Sequence, residues 1–133
     1  MKRVRVGKLV RDKIPALIEK SGDHPITHVL PKQAYIRELK QKVVEEADEV
    51  SRAKTPGEIF TELADLTEVL SALIKALGIS EKEVVKLQRS RRISRGGFEK
   101  RLYLESVALA DQSPWKNYYE TKVRPKRKSE KGI

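Results

Sequence analysis

Two pairs of carboxylates with the same spacing are the residues of this chain best suited to chemistry. Glu46 and Glu49 lie three apart in the segment KVVEEADEV, and Glu62 and Asp65 repeat that spacing in TELADLTEV. Residues three apart on a helix project from one face, with Cβ atoms about 5–6 Å apart. Oxygen-only ligands favour hard cations such as Mg²⁺, for which Mn²⁺ can substitute. Two such pairs on neighbouring antiparallel helices are therefore a candidate divalent-metal site.

The charge distribution supports a cation at these residues. The 133-residue chain has a formal net charge of +10, yet residues 45–68 contain eight acids and only two bases. A divalent cation would suit the acidic segment, and the basic remainder would attract an anionic substrate. The competing interpretation is that the acids only form the solvated face of two surface helices. We favour the metal site because the segment has too few basic residues at i, i+4 to neutralise it.

Apolar residues at helical spacing predict the elements that carry these carboxylates. One helix is expected over residues 32–53, and a second over residues 56–77, opened by the capping box Thr55-Pro56-Gly57-Glu58 and ended by Gly78. A third should run from Ser80 to Ile93, and a short helix from Pro15 to Lys20. Residues 98–106 are compatible with either a strand or a turn of helix. The sequence thus indicates an all-α protein.

The two carboxylate pairs occupy matching places on their helices. At 100° per residue, Glu46 and Glu62 fall roughly 60–70° from the centre of the apolar stripe, and Glu49 and Asp65 roughly 120–130° from it. Each helix thus offers one carboxylate at the edge of its buried face. The second helix is apolar over much of its girth, so we expect a second subunit to cover part of it.

The composition of the chain excludes some kinds of chemistry and indicates its domain organisation. The chain has no cysteine, which excludes disulfides and thiolate chemistry. It has no run of about 18 apolar residues that would predict a membrane span, and no apolar signal region follows its basic start, so a cytoplasmic protein is expected. Residues 116–133 contain seven bases and two acids. We therefore expect a helical domain over residues 1–110 and a basic tail over residues 111–133, able to bind nucleic acid.

The carboxylate motif resembles that of a known family. The pattern E-x-x-E, twelve residues, then E-x-x-D is similar to the signature of the all-α NTP pyrophosphohydrolases, which include MazG-like and phosphoribosyl-ATP pyrophosphohydrolase-like proteins. KLVRDKIPALI (residues 8–18) and RGGFEKRL (residues 95–102) resemble further segments of that branch. The resemblance covers roughly residues 8–104. Gly7 and Ala16 depart from it, where relatives often carry Asn and Glu.

This resemblance implies a fold, a reaction and a set of roles. The fold would be an antiparallel helical bundle completed by a homodimer or higher homo-oligomer. Hydrolysis between the α- and β-phosphates of a nucleoside triphosphate would release pyrophosphate, and would serve house-cleaning of the nucleotide pool. Glu45 would orient or deprotonate the attacking water. Mg²⁺ would be held by the four acids of the two pairs, Glu46, Glu49, Glu62 and Asp65.

Basic residues at both ends of the resemblance are candidates for substrate contacts. Lys8, Arg11 and Lys13 could contact the triphosphate, or could simply form a basic N-terminal arm. Arg95 and Lys100 flank Gly96 and Gly97, which allow a backbone to approach a phosphate closely but also end helices. Two other functions remain open. One is hydrolysis of phosphoribosyl-ATP by the same metal chemistry, and the other is a non-enzymatic, basic, helical nucleic-acid-binding protein.

Overall fold

A computed structural model describes residues 1–122 of the protein, and every helix in this part of the chain is an α-helix. The helices are α1 (Ile14–Lys20), α2 (Lys32–Arg52), α3 (Pro56–Ala76), α4 (Glu81–Arg95) and α5 (Lys116–Thr121). No strand is present among the described residues. The all-α prediction is therefore confirmed. None of the helices in residues 1–122 is long and apolar enough to cross a membrane.

Local hydrogen bonds explain why the chain reverses between α2 and α3. The hydroxyl of Thr55, the N-cap residue of α3, accepts a hydrogen bond of 3.1 Å from the backbone N–H of Glu58. Pro56 is the first residue of the helix. The Glu58 carboxylate accepts a return bond of 3.0 Å from the backbone N–H of Lys54, one residue before the N-cap. Gly78, with a φ of +70°, follows the C-terminus of α3 in the left-handed conformation that glycine tolerates best. The predicted start and end of this helix are thus confirmed.

The hairpin formed by α2 and α3 is the centre of the fold. Its three-residue connection leaves the two 21-residue helices packed side by side and antiparallel. Residues equally distant from Lys54 therefore lie at about the same level along the helix axes. Leu39 and Val69 are each fifteen positions from Lys54, and they are the only described residues that are buried, with 3% and 9% of their surface exposed. The core of the hairpin is thus a narrow aliphatic seam.

One face of α3 remains exposed in the single chain. Phe60 is 78% exposed, and Leu63, Leu70 and Leu77 are each more than 40% exposed. These residues, with Thr67 and Ile74 between them, follow the alternating three- and four-residue spacing of a helix-packing seam. We call Phe60, Leu63, Leu70 and Leu77 the exposed α3 face. Isolated apolar residues on a surface are ordinary, but a continuous stripe marks an interaction surface.

Two details of the sequence-based expectations differ from the structure. Residues 98–106 are neither a strand nor a helix, although a turn covers their first three residues. Within the expected tail, Lys116–Thr121 form the short helix α5. The aromatic residues at positions 115, 118 and 119 have helical spacing, and this signal could have indicated the helix. Residues 123–133, which contain five of the seven bases of the tail, lie outside the described residues.

The chain divides into two units, Met1–Arg95 and a second that begins at Gly96. The first contains α1 to α4 and all the predicted metal ligands. The second contains α5, where the rings of Trp115, Tyr118 and Tyr119 pack on one another with centroids 5.1–6.1 Å apart. The predicted domain boundary at residue 110 stays a prediction.

Candidate metal centre

The hairpin geometry brings the two carboxylate pairs together. Glu46 and Glu62 are each eight positions from Lys54, so they lie level with each other on adjacent helices. Asp65 follows one turn along α3. One carboxylate oxygen from each of Glu46, Glu62 and Asp65 lies within 4.8 Å of the other two. We call these three residues the carboxylate cluster.

Glu49 lies outside this cluster, and the antiparallel arrangement separates it from Asp65 along the helix axes. Three residues along a helix correspond to an axial shift of about 4.5 Å. From the level of Glu46 and Glu62, Glu49 is displaced towards the connection and Asp65 away from it. Glu49 is also exposed, and it lines a cavity of about 180 Å³ near the connection together with Glu58 and Glu62. Its role as a fourth metal ligand stays a prediction.

The cluster concentrates negative charge in a partly dehydrated place. Glu46 keeps only 15% of its side chain exposed, and Glu62 is half-buried. Partial burial raises the pKa of Glu62 above its ordinary value, and the negative charges of Asp65, Glu49 and Glu46 raise it further. Both effects disfavour the ionised form of Glu62. A bound cation would reverse them, and three carboxylate oxygens form a donor set that suits a hard divalent ion. The residues present therefore fit a metal ion.

Two cations of the N-terminal arm, residues 1–13, reach this region from outside the hairpin. The Nζ of Lys8 donates a hydrogen bond of 2.9 Å to Oε1 of Glu45 on α2. The Nη2 of Arg11 donates one of 2.9 Å to Oδ1 of Asp65 on α3. The arm is therefore attached to both helices of the hairpin, through Glu45 beside the cluster and through Asp65 within it. The sequence could not show these contacts because 37 and 54 residues separate the partners.

Glu45, the predicted water-activating residue, is held as an anion. The hydrogen bond from Lys8 lowers the pKa of Glu45 below its ordinary value, with partial burial opposing this shift and the charge of Lys42 assisting it. The same hydrogen bond raises the pKa of Lys8. Glu45 is therefore ionised at neutral pH, as a general base requires, although a lowered pKa also makes it a weaker base. Its catalytic role stays a prediction.

Lys42 is a residue of the site that the sequence reasoning missed. Its Nζ lies 3.4 Å from Oε1 of Glu46 and 3.8 Å from Oε1 of Glu45. It precedes the acidic segment, so a charge count restricted to residues 45–68 left it out. The i, i+4 spacing from Lys42 to Glu46 was the available signal.

The other predicted substrate contacts lie outside the α2–α3 hairpin. Lys13 is the N-cap residue of α1 and forms no ion pair within the described part of the chain. Arg95 is the last residue of α4, and Lys100 belongs to the unit that begins at Gly96. Their roles in substrate binding stay predictions.

A family model described as phosphoribosyl-ATP pyrophosphohydrolase matches residues 14–91, which span α1 to most of α4 and include the whole carboxylate cluster. This chain belongs to that family. The family lies in the MazG-like superfamily of all-α pyrophosphohydrolases, so the resemblance seen in the sequence is confirmed. Its members are hydrolases that act on phosphoric anhydrides. Searches of curated proteins and of solved structures found no significant match.

Proposed function

We propose that the protein is a Mg²⁺-dependent nucleoside triphosphate pyrophosphohydrolase that cleaves between the α- and β-phosphates. The observation that carries this proposal is the convergence of Glu46, Glu62 and Asp65, with one oxygen of each within 4.8 Å of the others. These residues would hold the ion, with Glu49 as a fourth ligand. When bound, Mg²⁺ would neutralise charge on the phosphate oxygens and increase the acidity of a coordinated water.

The surrounding residues have roles that follow from their charges. Glu45, kept ionised by Lys8, would accept a proton from the attacking water or orient that water. Lys8 and Arg11 lie beside the cluster and would bind the negatively charged phosphate chain. Lys13, Arg95 and Lys100 are proposed as further contacts with the phosphates. Arg11 is the best placed of the arginines, because a planar guanidinium can donate two hydrogen bonds to a phosphate.

Phosphoribosyl-ATP is the second candidate substrate, and the description of the matching family model favours it. Its hydrolysis breaks the same kind of α–β phosphoanhydride bond, so the carboxylate cluster would suit either substrate. The test is a panel of canonical nucleoside triphosphates, damaged nucleoside triphosphates and phosphoribosyl-ATP, with and without Mg²⁺, scored by pyrophosphate release. Asp65→Asn is the matched control, in which release should fall at least about tenfold. Mg²⁺-independent release, or release by none of the substrates, would contradict the proposed function.

We also propose that the bundle is completed by a second copy of the chain packed on the exposed α3 face. Only Leu39 and Val69 are buried among the described residues, and neither completely, which is a small core for a folded domain. The exposed α3 face lies on the helix that supplies Glu62 and Asp65. It is flanked by the small residues Ala64 and Ser71, which would let a neighbouring helix approach closely. Burying this face would therefore also stiffen the helix that carries two of the metal ligands.

A further inference from the structure

Arg11 is the residue of the N-terminal arm that forms an ion pair with a member of the carboxylate cluster. Its guanidinium lies 2.9 Å from Asp65, a member of the cluster, whereas Lys8 pairs with Glu45, which is not. Within the described residues, Arg11 and Lys42 are the two cations that pair directly with cluster carboxylates. Lys42 lies on the same helix as its partner, but Arg11 is carried by the arm and can leave Asp65 without disturbing the hairpin.

A divalent cation in the cluster would make the Arg11–Asp65 ion pair less favourable. Without the ion, the positive guanidinium reduces repulsion among three neighbouring carboxylates. With the ion, two positive groups would share Asp65 and would repel each other at short range. The side chains of Arg11 and Asp65 are 59% and 39% exposed, and ion pairs so exposed contribute little stability. Arg11 is therefore a weaker competitor than the divalent cation for the carboxylate of Asp65.

We propose that Arg11 exchanges partners, pairing with Asp65 in the metal-free protein and with the phosphate chain of the substrate once the cation is bound. This inference rests on the proposed metal site and adds a positioning role for the arm. The arm has a second contact with the hairpin at Lys8, three residues before Arg11. Arg11 would thus make binding of the free cation weaker and binding of the cation together with a polyphosphate tighter.

Metal binding by substrate-free protein provides the first test. Mn²⁺ is titrated and its free concentration is read by electron paramagnetic resonance. Arg11→Gln should tighten Mn²⁺ binding about two- to fivefold, the range expected for loss of an exposed competing pair. Arg5→Gln is the matched control, because Arg5 lies in the same arm and forms no ion pair among the described residues. In an Asp65→Asn background, Arg11→Gln should have no further effect, since its partner charge is gone.

Binding of inorganic tripolyphosphate at saturating Mg²⁺ provides the second test, by calorimetry. Here Arg11→Gln should weaken binding at least about threefold relative to Arg5→Gln, because a charge-assisted contact is lost. Unchanged or weaker Mn²⁺ binding by Arg11→Gln, or unchanged tripolyphosphate binding, overturns the exchange while leaving the metal site standing. Failure of the parent protein to bind Mn²⁺ overturns both the metal site and the exchange.

Discussion

Glu46 and Glu62 face each other across the α2–α3 hairpin at the same distance from its connection, and Asp65 completes the cluster one turn further along α3. Each carboxylate therefore contributes to one charge centre, although the three come from two helices. The consequence is that removing a single ligand charge should impair the whole site.

Asp65→Asn keeps the size of the side chain and removes one ligand charge. We expect Mn²⁺ affinity and pyrophosphate release to fall at least about tenfold, since even indirect changes at metal sites cost that much. Folding should be retained, because Asp65 is on the surface of the hairpin. Asp48→Asn is the control, as Asp48 pairs with Arg52 outside the cluster. Parent-like metal binding and turnover in Asp65→Asn would show that the active site lies elsewhere.

Glu49 requires its own measurement because the structure leaves it outside the cluster. If Glu49 joins the ligands when the cation binds, Glu49→Gln should lower Mn²⁺ affinity as Asp65→Asn does, again at least about tenfold. The comparison of these two variants in one titration separates a three-carboxylate site from a four-carboxylate site. An affinity equal to that of the parent would remove Glu49 from the proposed ligand set.

Glu45→Gln should separate metal binding from catalysis. Glu45 pairs with Lys8 and lies outside the cluster, so Mn²⁺ affinity should stay close to that of the parent. Turnover should fall about 10²-fold or more, the usual contribution of a general base. Pyrophosphate release and Mn²⁺ titration on the same preparation provide the measurement. Loss of Mn²⁺ binding would instead make Glu45 a ligand, and another group would have to activate the water.

The raised pKa of Glu62 predicts how the metal-free protein responds to pH. The folded protein binds this proton more readily than the unfolded chain, so the contribution of Glu62 to stability declines as pH rises from its ordinary value of 4.5 through the higher folded pKa. Glu62→Gln removes the unfavourable ionised form. Thermal melts in EDTA should show the variant more stable than the parent at pH 7, with the difference shrinking towards pH 5. Glu68→Gln, on the exposed part of the same helix, should leave the melting curve unchanged.

A charge on the exposed α3 face should disrupt the proposed assembly. Leu70→Asp would place a carboxylate in the interface between two copies, where its desolvation is unfavourable. Light scattering after size-exclusion chromatography should show a smaller species than the parent protein. Leu87→Asp on α4 is the control, because Leu87 is also exposed but lies outside this face. A monomeric parent protein, or an unchanged mass for Leu70→Asp, would contradict the assembly.

The basic C-terminal segment predicts binding of nucleic acid that can be removed without unfolding the protein. Deleting residues 123–133 removes five bases and one acid. Any binding of single-stranded DNA should weaken, and its dependence on salt concentration should become less steep. The melting temperature should stay the same, because the deleted segment contains few apolar residues. A large drop in melting temperature would show that the segment stabilises the folded protein.

Much of the fold followed from the sequence by itself. Thr55, Pro56 and Glu58 specify the turn between α2 and α3. The Thr55 cap and the fixed φ of Pro56 depend only on neighbouring residues, so the sequence alone shows them. The Ser80–Glu83 capping box before α4 is likewise present, with bonds of 3.3 and 3.4 Å. Helical periodicity also placed Glu46 and Glu62 at the edge of the buried face, where the structure finds both partly buried.

Tertiary structure decided which charges meet. Helical spacing puts Glu49 beside Glu46 and Asp65 beside Glu62, but the antiparallel hairpin displaces Glu49 and Asp65 in opposite directions from the level of the other two. Helical spacing alone therefore could not show that Asp65 joins the cluster while Glu49 does not. The pairing of Arg11 with Asp65, across 54 residues of sequence, likewise depends on where the arm lies on the hairpin. Spacing along one helix is a local property of the chain, whereas the distance between charges on different elements is set by packing.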